Sequence, residues 1–193
     1  KLSEDMQSSM AAAFEHFTAV ISSVLLENPE LFNESDPELR AMLYWHFVEE
    51  TEHKGVSFDV YVAASGGGIR GYLKRVGGMA AGTILGLPLM VGNQAYLLYK
   101  DKQLTNWRSA LRMSNILFGN PGIFTRIFTA HYLQYFMPDF HPWDDDNREV
   151  IHVWKRSYEK TGDPHKAFEA LLEWKLKKNA PSKGKLRAVG QAA

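Results

Sequence analysis

Four residues between Leu43 and Lys54 have the types and spacing to do chemistry together: His46, Glu49, Glu50 and His53. At about 100° per residue they fall within an arc of about 100° on one face of a helix. Imidazole nitrogens and carboxylate oxygens on one face are a donor set for iron or manganese, with zinc as a third candidate. Glu50 and His53 form the Glu-x-x-His pair that di-iron and di-manganese bundles project toward a shared ion. The plainer reading is a solvated face carrying i,i+4 pairs such as Glu49 with His53, each contributing about 0.2–0.5 kcal/mol. Leu43, Tyr44, Trp45, Phe47 and Val48 surround the donors, and Val56 and Phe58 follow. This composition predicts a buried helix, in which unpaired carboxylates would carry a large desolvation cost that a metal can offset.

Two helices must position these groups. Residues 3–26 carry Met10, Phe14, Phe17, Ile21, Val24 and Leu25 at helical spacing, and the helix ends near Asn28-Pro29. Glu15 lies beside that stripe on a face of Ser8, Ala11, Ala12, Ala19 and Ser22. Small side chains let a second helix come close, so Glu15 is a candidate metal ligand. His16 points about 100° away and is placed in a supporting or packing role. Asp36-Pro37 supplies an N-cap and a first-turn proline for the donor-bearing helix, expected to run to about Ala64. Asp59 could accept a hydrogen bond from a ligand imidazole or be a plain surface carboxylate.

Gly66-Gly-Gly-Ile-Arg-Gly71 satisfies G-x-G-x-x-G, but it follows a helix with no strand pattern, so it reads as an interhelical turn. Residues 76–99 hold no charge. That length reaches the range of a membrane span. The glycines, Pro88, Asn93 and Gln94 favour a buried or interfacial helix bent at Pro88, able to line an apolar pocket. Further helices are expected over 103–118 and 121–136, then a stiff loop from Met137 to Asp146. In that loop His141 is a candidate supporting residue or, with Asp144 to Asp146, a candidate metal ligand; the commoner reading of the three aspartates is a helix cap and acidic first turn. A last helix pair, 147–160 and 164–177, is punctuated by Gly162 and Asp163-Pro164. The expected organisation is one helical metal-binding domain over 1–177 and a basic flexible tail over 178–193.

Lys plus Arg and Asp plus Glu both number 22, so no global field draws the chain to nucleic acid. The absence of cysteine removes disulfides, thiolate ligands and cysteine nucleophiles together. No apolar signal segment or twin arginine is visible, and the expected setting is cytoplasmic with peripheral membrane contact through 76–99.

Glu15-His16-Phe17-Thr18-Ala19, then Trp45-His46 through Glu49-Glu50 to Glu52-His53-Lys54, then Phe58-Asp59-Val60-Tyr61 and Phe140-His141-Pro142-Trp143, together resemble the bacterial family of predicted metal-dependent hydrolases. The resemblance spans about residues 10–145. It implies an all-α, ferritin-like helical bundle with additional C-terminal helices, and a dinuclear metal site. Such bundles use two Glu and two Glu-x-x-His pairs, of which Glu15 and Glu50-x-x-His53 are half. His46 and Glu49 can fill part of the deficit, and this segment alone comfortably supports one ion. The rest is expected from an N-terminal segment upstream, a separate chain or a symmetry-related copy. Hydrolysis would use the metal to lower the pKa of bound water, with Glu49, or Glu52 in a rotated helix, as general base. A di-iron oxidase or oxygenase acting on a small apolar substrate is the alternative. A non-enzymatic helical subunit of a membrane-associated complex is the third.

Overall fold

The structure is a computed structural model and describes residues 3–119 and 122–180. Its long elements are α1 (Glu4–Leu26), α2 (Pro37–His53), α3 (Val56–Ser65), α4 (Gly68–Lys100), α5 (Trp107–Phe118), α6 (Ile123–Arg126), α7 (Arg148–Thr161) and α8 (Pro164–Asn179), and no strand occurs among the described residues. The fold is all-α, as the sequence predicts.

Helix α1 is the hub, packed on α4, α2 and α3. Ser3 caps it by accepting from the Met6 amide. Its buried face is not the stripe of large residues that periodicity suggests. Phe14 is exposed, whereas Ser9, Ala12, Ala13, Ala19, Ser22 and Ser23 are buried. The reason lies in α4, whose Gly78 and Gly82 sit directly on this face. A Cβ at Gly78 would stand 2.9 Å from the Ser9 backbone carbonyl carbon. Two helices with only small side chains between them approach closely, and Phe14 is displaced to the margin, while Val24 of the predicted stripe is buried beyond the contact. Ser9 Oγ closes the contact by donating to the Lys74 carbonyl at 2.8 Å.

Two apolar clusters flank α1. One joins Leu26 with Tyr44, Phe47 and Val48 of α2, Val150, Ile151 and Trp154 of α7, and Ala167, Phe168 and Leu171 of α8. The other joins Ala13, Phe58, Met79, Tyr135 and Phe140. The α7–α8 turn follows the sequence reading: Gly162 is left-handed at φ 64°, and Asp163 accepts from the His165 and Lys166 amides ahead of Pro164.

Several expected boundaries move. The donor helix does not run to Ala64 but breaks after His53, because Trp143 packs on Gly55, where a Cβ would lie 2.8 Å from its Nε1. Helix α4 runs through Pro88 without interruption, with one face buried at Gly71, Arg75, Gly78, Met79 and Gly82 and every residue exposed from Pro88 on. In place of a single helix over 121–136, α6 passes into a wide π-type turn over Ile127–Tyr132 and a 3-10 turn over Gln134–Phe136. The ladder Phe124, Phe128, Tyr132, Phe136, with centroids 4.8–5.2 Å apart, accompanies this irregular backbone. Asp144 belongs to a short turn, Pro142–Asp144, and the N-cap of α7 is Asn147. The tail predicted from 178 begins within α8, and residues 181–193 lie outside the described residues.

Candidate functional site

Asp36 starts α2 by accepting from the Glu38 and Leu39 amides, each at 3.0 Å. With the start fixed, Ala41, Tyr44, Phe47, Val48 and Thr51 are buried, while Trp45, Val56 and Met42 are exposed. The helix is therefore half-buried, not enclosed as predicted. His46, Glu49, Glu50 and His53 take the side opposite the buried arc.

The donors form two i,i+4 pairs. His46 Nε2 lies 3.5 Å from Glu50 Oε1, with the side chains 56% and 23% exposed. His53 Nε2 lies 3.9 Å from Glu49 Oε2, at 60% and 39%. Thr18 ties Glu50 to α1, its hydroxyl 2.7 Å from Glu50 Oε2 and 3.1 Å from the Glu15 carbonyl oxygen. The hydroxyl has one proton, and the shorter carboxylate contact claims it. Glu15, one turn before Thr18, is partly exposed, and its carboxylate makes no hydrogen bond or ion pair among the described residues. No group of three or more His, Asp or Glu side chains converges closely enough to hold a metal among the described residues. The oxygen and nitrogen donors suit a metal in kind, but they stand as pairs. Glu52 is turned away to Lys155, whose ammonium donates at 2.8 Å.

The three supporting candidates lie elsewhere. His16 is buried between Tyr135 and Phe140, its Nε2 3.4 Å from the His131 carbonyl oxygen. Burial drives its pKa down from 6.5 to about 4, with a smaller opposing contribution from that backbone bond. His141 Nδ1 accepts from the Trp143 amide at 3.2 Å, so its proton sits on Nε2, which donates to Asp59 Oδ1 at 3.0 Å. Asp59 thus orients His141.

Charges that the sequence reading passed over complete the interior. Lys54, C-cap of α2, donates to the Asp145 carbonyl and to Asn147 Oδ1 and sits 4.4 Å over the Trp143 ring. Burial lowers its pKa, and the nearby aspartates oppose that shift. Buried Arg75 donates to the Met137 carbonyl and lies over Phe58, Tyr72, Tyr135 and Phe140. His131 faces Asp145 at 3.6 Å. His16, Lys54, His131 and Asp145 line a cavity of about 10 Å³, enough for one water at most and too small for a substrate. The one available signal was the Lys that ends the Glu-x-x-His-Lys run.

A larger space opens beside Thr18. Phe14, Phe17, Ile21, Gly82, Thr83, Gly86, Leu87 and Met90 complete an apolar groove of about 230 Å³ between α1 and α4. A Cβ at Gly86 would stand 2.6 Å from the Phe14 ring, so glycine there is what admits that ring.

The family pattern described as "Predicted metal-dependent hydrolase" matches residues 1–146. The chain belongs to this family. The match takes in Glu15, the α2 donors, Lys54 and His141, and it excludes all of α8 and all of α7. No curated protein and no solved structure matches the chain.

Proposed function

We propose that the chain is a metal-dependent enzyme acting on a substrate with an apolar portion, with hydrolysis as the reaction. The observation that carries this is the double role of Thr18, which holds Glu50 at 2.7 Å and also forms part of the wall of the apolar groove. A polar donor group and an apolar seat meeting at one residue is the arrangement expected where a few polar groups orient a mostly apolar ligand. At about 230 Å³ the groove is smaller than the usual roughly 300–1,000 Å³, so it suits one slim chain better than a broad ring system.

In this reading Glu15, Glu50 and His53 hold the ion, and His46 gives a further nitrogen. A ferritin-like arrangement belongs to it too, with facing helices from another copy or another segment supplying the remaining ligands of a dinuclear site. The metal, iron, manganese or zinc, supplies Lewis acidity when bound and lowers the pKa of its water. Thr18 fixes Oε2 of Glu50, and Oε1 faces His46. Glu49, 3.9 Å from the His53 ring, is the general base in this reading. The groove excludes water from the substrate's apolar part.

A second reading, oxygen-dependent oxidation, is favoured by the carboxylate-rich donors beside a groove whose polar side chains are Thr18 and Thr83 alone. Metal content of the purified chain, followed by turnover of p-nitrophenyl esters of increasing chain length and by oxygen uptake, tests both. Ester cleavage that needs metal and improves with chain length is the expected result. Metal-dependent oxygen uptake without ester cleavage would replace hydrolysis with oxidation. A chain that binds no iron, manganese or zinc would overturn both.

A further inference from the structure

Every residue of α4 from Pro88 to Lys100 is exposed. Leu89, Met90, Val91, Tyr96, Leu97, Leu98 and Tyr99 are exposed, and at about 100° per residue they are distributed around the full circumference. Helix α5 follows with no buried residue. On it Trp107, Leu111 and Phe118 share an arc of about 40°, while Arg108 and Arg112 lie on another side. Between Lys100 and Arg112 the charges are Lys100, Lys102, Arg108 and Arg112 against Asp101.

We propose that α4 beyond Thr83, together with α5, is a membrane-docking arm that lies in the interface of a bilayer containing anionic lipid. A protein partner would contact one stripe of such a helix and leave the rest in water, whereas a lipid surface can meet apolar residues on several sides. The stretch Ile84–Lys100 is about 25 Å long, short of the roughly 30 Å hydrocarbon core. It ends in Lys100-Asp101-Lys102-Gln103, which a spanning path would have to carry across. Lying in the interface, the lysines extend to headgroups while their stems stay on the apolar side. Tyr96, Tyr99 and Trp107 beside those cations are residues favoured at headgroup depth. The net three positive charges predict a preference of the order of 100-fold for anionic over neutral membranes at low salt. Leu87 and Met90 line the groove at the root of the arm, so an apolar substrate could enter from the lipid. That consequence alone rests on the proposed enzyme reading.

Flotation of the chain with vesicles of phosphatidylcholine, or of phosphatidylcholine and phosphatidylglycerol in equal parts, tests the arm. EDTA is present, so metal binding has no part in the outcome. Flotation with the anionic vesicles, weakened by salt, is expected. Leu89→Asp with Leu97→Asp should cut binding at least tenfold, with the circular dichroism melt unchanged because both sites are exposed. Replacing Lys100, Lys102, Arg108 and Arg112 by Gln should remove the preference for anionic lipid. A chain that stays soluble with both vesicles overturns the proposal, and so does a dimer in light scattering that the double Asp variant splits while vesicles bind neither form. Equal flotation with neutral vesicles overturns the anionic-lipid part.

Discussion

Lowering the pH should weaken the protein through His16, and the size follows from its surroundings. Its imidazole is 5% exposed, and burial holds its pKa near 4 against 6.5 for a free histidine. The cations acting on it are Lys54 at the α2 C-terminus, Arg75 on α4 and, when protonated, His131, while Asp145 lines the same cavity. These cations disfavour a second positive charge. As pH falls through 6.5 the unfolded chain takes up a proton at this residue, but the folded chain does not until about pH 4. His16 therefore costs nothing above pH 6.5, costs progressively more down to pH 4, and adds nothing further below that. At about 1.36 kcal/mol per pH unit the full loss is about 3 kcal/mol. Urea unfolding in EDTA buffer, from about pH 7.5 to about 4.5, should show it as a slope absent from His16→Phe. Carboxylates contribute to both proteins, so the difference between the two curves is the readout. Parallel curves would mean that His16 is protonated in the folded state or is hydrated, and would refute the burial argument.

Other expectations follow from single contacts. Gly78→Ala should force α1 and α4 apart against the Ser9 backbone and cost about 1–3 kcal/mol, read as a drop in Tm of about 2–4 °C for each kcal/mol. Thr18→Val should leave Tm nearly unchanged but weaken metal binding about tenfold in calorimetric titration, with Thr18→Ser retaining it. Glu52→Gln should cost less than about 1 kcal/mol in urea unfolding, since its bond to Lys155 is partly exposed. It should leave turnover intact, whereas Glu49→Gln should lower kcat about 100-fold. Phe14→Ala should enlarge the groove beside Gly86 and shift the preferred ester to a bulkier chain.

Helix existence was legible wherever punctuation and period agreed. Asp36-Pro37 and Gly162-Asp163-Pro164 each placed an end correctly, because caps and prolines act within one turn. The face of α1 was not legible, since the period of its large residues competes with glycine partners 69 positions away, Gly78 for Ser9 and Gly82 for Ala13. Neither was the break at Gly55, which only the packing of Trp143 explains. For the site, the α2 arc was readable because helical spacing alone sets it. The partners were not: Asp59 with His141 spans 82 positions and Lys54 with Asn147 spans 93. Such pairings are tertiary and leave no periodic trace.

The two readings of α2, ion pairs on a wet face or ligands to a metal, name the same residues. They differ in what covers them. The apolar side of α2 is spent on α7 and α8 through Tyr44, Phe47 and Val48, and its flank toward α1 is fixed by Thr18. Among the described residues nothing covers the remaining side, where His46 and His53 are more than half exposed. His46 and Glu50 stand 3.5 Å apart at a partly exposed surface, and their pairing leaves both accessible to a stronger partner. A divalent cation there would take Glu50 from His46 and Glu49 from His53 at little cost, because neither pair is buried. Added zinc should then shift the imidazole NMR signals of His46 and His53 together, and that response distinguishes the readings. Imidazole signals that do not move at saturating zinc would mean that the histidines stay beside their carboxylates and that the face is only solvated.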